Sequence, residues 1–213
     1  MSFPIELPVL GAYTLTVAAI VLSPGPDTIL IVRYSLTSGR RVGLATVAGV
    51  QIGILIHTLL AVLGVSLIIA SSPVLFKTLA VAGAGYLAWL GLQGFRPHGA
   101  LRFNADRPAV GPRRAARDAI FCNLLNPKVV VLFLALLPNF VDTGRDDVSL
   151  QLVILALVLL ILNILWQTPI VLAANQVRRL LKNPKVERTI SQGTGAILFG
   201  FAGLMLYDHL WVG

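Results

Sequence analysis

The feature that most constrains this chain is a succession of five or six apolar runs, each exceeding the ~18 residues that mark a bilayer-spanning helix. In hydrocarbon every backbone N–H and C=O must be satisfied internally, and a single run can do that only as a helix. The runs predict transmembrane helices at Leu7–Tyr34, Val42–Ala70, Pro73–Phe95, Asp118–Val141, Ser149–Ala174 and Thr189–Tyr207. The fold class expected is therefore all-α: a polytopic membrane protein of six spans. Charged residues make up 12% of the chain, against about 25% in a soluble domain. That is too few to clothe a globular surface, and a mean hydropathy of +0.84 agrees. No segment is left over for a second fold, so residues 1–213 read as one transmembrane domain.

The breakers fall between the runs. Ser71-Ser72-Pro73 is a cap followed by proline in a first turn, Ser38-Gly39 stops the first helix, and Asn183-Pro184 lies in the last connection. Residues 96–117 hold three prolines, two glycines and six arginines, and are expected to form a hydrophilic loop. The N-terminus lacks a basic n-region and carries Glu6. It is not expected to be a cleavable signal peptide, so the first run stays in the mature protein.

The formal net charge of +8 would suit nucleic acid, but the basic residues do not form a patch. Fourteen of the 17 lie in the first, third and fifth connections (about 33–41, 96–117 and 175–189), and only Lys77 and Arg145 lie in the others. The positive-inside bias accounts for this split without a nucleic-acid partner. It places those three loops in the cytoplasm and both termini on the periplasmic side. Two three-helix halves, about 1–95 and 118–213, would then run in opposite orientations, as in inverted-repeat transporters. Pro26-Asp27 and Pro127-Lys128, 101 residues apart, and Gly83-Ala84-Gly85 with Gly193-Thr194-Gly195, 110 apart, support the repeat.

Two segments interrupt their helices. In Ser23-Pro24-Gly25-Pro26-Asp27 the prolines remove donors and clash with the preceding turn, and Gly25 weakens the helix further. Such a site is either a packed kink or a break lining a cavity. Pro26 and Asp27 suit the start of a new half-helix, whose N–H groups attract anions. The second interruption is Asn123-Leu124-Leu125-Asn126-Pro127-Lys128, where Asn126 is placed to cap a half-helix beginning at Pro127. Asp27 and Lys128 are the only acid and base expected well inside a span. Each costs about 2.5–3.5 kcal/mol near the bilayer centre, and pairing at about 4 Å recovers roughly 4 kcal/mol at an effective dielectric near 20. Two readings stand, a structural lock (or a snorkelling Lys128) and a pair that binds substrate or protons.

Further polar residues punctuate the spans. Gly49, Gly53, His57 and Ala61 recur every four residues and form one small-residue face, with Gln51 on another. The glycines suit helix packing; His57 is either a hydrogen-bonded packing residue or a proton-exchange group. Asn163 and Gln167 lie one turn apart beside Pro169, as interhelical glue or as pore lining. Cys122 is the sole cysteine, which excludes an internal disulfide and a Cys-x-x-Cys pair. Walker, dinucleotide and His-Glu-x-x-His signatures are missing, so no enzyme activity, cofactor or metal site is expected.

The two interruptions, in this order and spacing, together with Gly83-Ala84-Gly85-Tyr86-Leu87-Ala88-Trp89-Leu90-Gly91, resemble the LysE/RhtB family of amino-acid exporters, in particular the homoserine/threonine/leucine type. The resemblance covers essentially the whole chain. It implies a bacterial inner-membrane secondary transporter that exports amino acids or close derivatives by proton antiport. Its partners would be the lipid bilayer, the amino-acid substrate and protons, with a homodimer left open. The candidate substrate and coupling residues are Pro24, Gly25, Pro26, Asp27, Asn123, Asn126, Pro127, Lys128, His57, Asn163 and Gln167. In this reading the half-helix N-termini hold the substrate carboxylate, Asp27 takes its ammonium group or a proton, and the broken ends face each other across a solute-sized gap. The alternatives are a cation or metal exporter of the wider superfamily and a membrane scaffold or assembly factor that transports nothing.

Overall fold

The computed structural model describes residues 4–71, 109–181 and 183–207, with single positions between 72 and 92. Among the described residues every regular element is a helix and none is a strand. The elements are α1 (Leu7–Leu22), α2 (Pro26–Ser38), α3 (Arg40–Ser71), α4 (Pro112–Leu124), α5 (Pro127–Val131), α6 (Val148–Leu172), α7 (Ala174–Leu181) and α8 (Pro184–Tyr207). A π turn, Leu132–Leu136, and a 3-10 turn, Leu137–Phe140, continue α5.

The first span is broken where the sequence places the break. A residue before proline is driven out of the α region, and Ser23 (ψ 119°) and Gly25 (ψ −173°), each followed by proline, are extended. The chain therefore leaves α1 after Leu22, bends by 51°, and re-enters a helix at Pro26. The same rule breaks the helix expected as the fourth span. Asn126 precedes Pro127 and is extended, with ψ 111°. Between α2 and α3 the chain turns at Gly39, whose φ of +85° and ψ of 172° lie in a region essentially open only to glycine.

The expected spans are matched unevenly. Among the described residues, α6 and residues 40–64 of α3 are each long and apolar enough to cross a bilayer alone, and the bent pair α1–α2 passes the same test. The expected span Pro73–Phe95 lies outside the described residues apart from single helical positions such as Val74, Gly85 and Trp89. The fourth starts earlier than expected, at Pro112, because a proline at the first helical position converts the end of the 96–117 loop into helix. Its far end is a π turn and a 3-10 turn, where Pro138 withholds an N–H from the helix. The loop expected at 175–189 is largely helical as well, through α7 and the start of α8 at Pro184.

Packing follows from small residues. α3 packs most extensively against α4 and then α6. A side chain at Gly49 would enter the Ala116 carbonyl and the Ala119 methyl, and one at Gly53 would fall 2.6 Å from Asn123 Oδ1. The small-residue face anticipated on this helix is thus the seat of α4. Tyr13, Ile31, Ile54, Phe133, Leu136 and Leu155 fill the core, and the Tyr13 and Phe140 rings meet edge-on at 5.2 Å. Leu55, Leu59 and Leu63 on α3, and Leu157, Ile161 and Leu165 on α6, stay exposed. These i, i+4 apolar stripes face outward, as lipid contact requires. The basic end is tied together by Tyr34 donating to Asp118 Oδ2 (2.6 Å), Arg40 to the Leu172 carbonyl (3.3 Å), and Val110 N–H to Ser38 Oγ (3.0 Å).

Candidate functional site

The two breaks meet. Asp27, the second residue of α2, is 8% exposed, and its Oδ2 accepts hydrogen bonds from Asn123 Nδ2 (2.9 Å) and Asn126 Nδ2 (3.2 Å). Both amides come from the second break, nearly a hundred residues away in the chain. Asp27 Oδ1 is buried without a hydrogen-bond partner, as is Asn123 Oδ1. An orphaned buried carboxylate oxygen is costly, and its lone pairs are free to accept a proton or a hydrogen-bond donor.

Lys128 does not pair with Asp27 as expected. No ion pair within 4.0 Å joins them among the described residues. Its Nζ instead donates to the carbonyls of Ile20 (2.9 Å) and Ser23 (2.8 Å) at the end of α1. Those carbonyls lost their helical partners when Pro24 ended the helix, and a cation at a helix C-terminus is favoured by the dipole. The freed backbone acceptors compete with the carboxylate for the ammonium, so the two side-chain charges alone do not decide the pairing. The breaks are clamped reciprocally: the first break's carboxylate takes donors from the second, and the second break's lysine takes acceptors from the first. Gly25 makes room for this, since a methyl there would come within 3.3 Å of Lys128 Nζ.

A second correction concerns the half-helix ends. The start of α5 is self-capped: Asn126 Oδ1 accepts the Lys128 N–H (3.1 Å), the Asn126 carbonyl accepts the N–H groups of Val129 and Val130, and Pro127 has no N–H to offer. It has no donor left for a substrate carboxylate. The start of α2, by contrast, has no side-chain cap.

Between the breaks and α6 lies a cavity of about 30 Å³, lined by Gly25, Asp27, Asn123, Asn126, Lys128, Asn163 and Gln167 together with Thr28, Ile54 and Leu159. Such a volume holds a water-sized guest. The expected solute-sized gap is therefore closed in this conformation, because the reciprocal clamp draws the breaks together. Asn163 and Gln167 both line the cavity and glue the helices. Gln51 Nε2 donates to Gln167 Oε1 (3.0 Å), Gln167 Nε2 to Asn163 Oδ1 (2.8 Å), and Asn163 Nδ2 to the Leu159 carbonyl (3.5 Å).

The remaining candidates stand apart from the cavity lining. Pro24, Pro26 and Pro127 shape the backbone at the breaks. His57 stacks on Phe133 at 5.3 Å, with Nε2 3.5 Å from the Asn123 carbonyl, and so braces the residue that holds Asp27. Gln51 and Thr28 were missed as site residues. Gln51 carried a signal, an amide in an apolar span off the glycine face, but its partner lies 116 positions away.

The comparisons with known proteins agree with this architecture. Residues 18–209 match the model of the family described as LysE type translocator. The chain is 32% identical to a homoserine/homoserine lactone efflux protein of Salmonella typhi, over 92% of this chain and 94% of that one. It is also 32% identical to an uncharacterized membrane protein of Bacillus subtilis, over 89% and 94% of the two chains. A leucine efflux protein of an Enterobacter species is 28% identical over 96% and 99%. No solved structure matches the chain. A family match across nearly the whole length of a polytopic helical membrane chain makes this protein a member of the LysE type translocator family.

Proposed function

We propose that this translocator exports amino acids or close derivatives from the cytoplasm by secondary transport, exchanging them for protons. The observation that carries the reading is Asp27: a buried carboxylate set between two broken helices, held on one oxygen by Asn123 and Asn126 and unpartnered on the other. An ammonium group or a proton satisfies that oxygen equally well, and a group that accepts either but not both is what exchange requires. The uncapped start of α2 beside it offers N–H groups to the substrate carboxylate. Relatives named for homoserine/homoserine lactone and leucine efflux support the substrate class.

In this mechanism two inverted three-helix halves rock about the breaks, and the cavity opens when Lys128 releases the α1 carbonyls. The basic connections then face the cytoplasm of a bacterial inner membrane, with the termini opposite. Asp27→Asn keeps the shape and removes the charge. Reconstituted in vesicles with an imposed pH gradient, the variant is expected to lose gradient-driven efflux of homoserine or leucine while purifying at normal yield. Undiminished proton-driven efflux would remove Asp27 from the coupling role. A metal exporter would instead protect cells against metal load. For a scaffold, the wild-type protein would drive no efflux of its own.

A further inference from the structure

Three elements carry the walls of the central cavity on toward one end of the bundle, and each does so in the same way. On α1, Ile20 lines the central cavity, and Val9 lines a second cavity that opens at the surface where the chain enters the helix. On α5 and the turns that continue it, Leu132 lines the first cavity and Phe140 the second. On α6, Leu159 lines the first and Gln151 the second. The members of each pair are 11, 8 and 8 positions apart, which on α6 is about 12 Å at the helical rise. α1 packs against α6 here, and the 3-10 turn packs against both. The cavities, of about 30 and 290 Å³, thus lie one beyond the other between the same three walls.

A layer of side chains separates them. Tyr13, Leu136 and Leu155 each stand four positions from their element's outer lining residue, and all three are fully buried. Tyr13 closes against the Phe140 ring. Two features of this layer do not suit a permanent seal. The Tyr13 hydroxyl is buried without a hydrogen-bond partner. Phenylalanine would fill the same space without the cost of a desolvated hydroxyl. The group is satisfied only when the layer parts and water or a polar solute reaches it. The other feature is the wall that carries Leu136 and Phe140. It leaves α geometry across this layer, as a π turn over Leu132–Leu136 and a 3-10 turn over Leu137–Phe140, and Pro138 offers no N–H. Such departures from the α-helix occur at hinges and functional sites, so the gating side chains ride on the wall that shifts most readily.

We infer that the solute leaves the central cavity along this axis, and that Tyr13, with Leu136, Leu155 and Phe140, is the gate across it. Closed, the gate is an apolar layer. Open, it bonds the Tyr13 hydroxyl to the passing solute or to its water. The inference rests on the export reading for the identity of what passes, and on the packing alone for the gate.

The test is the accessibility of the central cavity in sealed proteoliposomes, using full-length protein that carries Cys122→Ser. Thr28→Cys places a thiol in the central cavity. A membrane-impermeant sulfonated methanethiosulfonate is added on the side from which Val9→Cys is modified, and the rate at position 28 is read by mass spectrometry. Tyr13→Ala and Leu155→Ala are each expected to raise that rate by about tenfold or more, because each empties part of the layer. Leu152→Ala truncates an equally buried leucine of α6 that lines neither cavity, and is expected to change the rate by less than about twofold. Tyr13→Phe keeps the ring and the packing. It is expected to slow labelling by about fivefold or more, since the closed layer no longer buries an orphaned hydroxyl. Unchanged rates in both alanine variants, or an equal rise with Leu152→Ala, would overturn the gate. A Tyr13→Phe rate at or above that of the unaltered protein would overturn the part given to the hydroxyl, and it decides the matter even if the alanine variants fail to fold. Labelling requires no transport, so a protein that labels as expected yet drives no efflux keeps the gate and loses the exporter reading.

Discussion

Gly53→Ala tests the packing that holds the central carboxylate in place. The added methyl would lie 2.6 Å from Asn123 Oδ1 and 2.8 Å from its Cβ. Asn123 is fully buried and donates to Asp27, so it has no free direction in which to retreat. Overpacking of this kind costs about 1–3 kcal/mol. Displacing Asn123 also weakens a hydrogen bond to a charged group, worth about 1.5–3 kcal/mol. Alanine's helix propensity returns about 1 kcal/mol, leaving a net loss of about 1.5–5 kcal/mol if the terms add. The same helix provides the control. Gly64 has nothing within 4 Å of its would-be methyl, so Gly64→Ala is expected to be neutral or to stabilise by up to ~1 kcal/mol. Both variants would be unfolded by SDS titration from bicelles, with helicity followed by circular dichroism. In the Asn123→Ala background Gly53→Ala should cost far less, because the obstructing side chain is gone. A Gly53→Ala protein as stable as Gly64→Ala, or a penalty undiminished by Asn123→Ala, would refute the claim that this glycine exists to seat Asn123.

Three further outcomes follow from other contacts. Lys128→Met strips the Ile20 and Ser23 carbonyls of their donor and is expected to cost about 1–3 kcal/mol per unsatisfied acceptor; hydrogen exchange near Ile20 would rise, and unchanged exchange there would contradict the clamp. Gly39→Ala forces a φ of +85° on a side chain and is expected to destabilise by about 1–3 kcal/mol, measured by the same SDS titration. The Asp147 carboxyl is held below its ordinary value of 3.8, first by the Arg145 hydrogen bond and then by Gln151. A depressed folded pKa means that this loop contact is fully present above pH 3.8 and is lost as pH falls through the lower folded value. Protease sensitivity of the 141–147 loop should therefore rise only in that acid window, and Asp147→Asn should remove the pH dependence.

Much of this fold is determined one segment at a time, which is why it is legible in the residues. A proline excludes its predecessor from the helix wherever the chain later goes, so Ser23, Gly25 and Asn126 are extended as their neighbours require. A four-residue spacing puts Gly49, Gly53 and His57 on one face without reference to a partner, and that face became the seat of α4. The amides at 163 and 167 were legible as a pair for the same reason, being one turn apart on a single helix. The Gln51–Gln167 bond was not, since it crosses between helices.

What the sequence alone determined, then, is where helices run, where they snap, and which polar groups the breaks expose. Tertiary structure decided who satisfies whom. Charge counting favours Asp27 with Lys128, yet the lysine took the Ile20 and Ser23 carbonyls, and the aspartate took Asn123 and Asn126. Hydrogen bonds act over about 3 Å, so partners separated by some hundred residues are chosen only when packing brings their helices together. The closed central cavity belongs to that level as well, because a cavity's volume is set by how neighbouring elements fit and by no residue on its own.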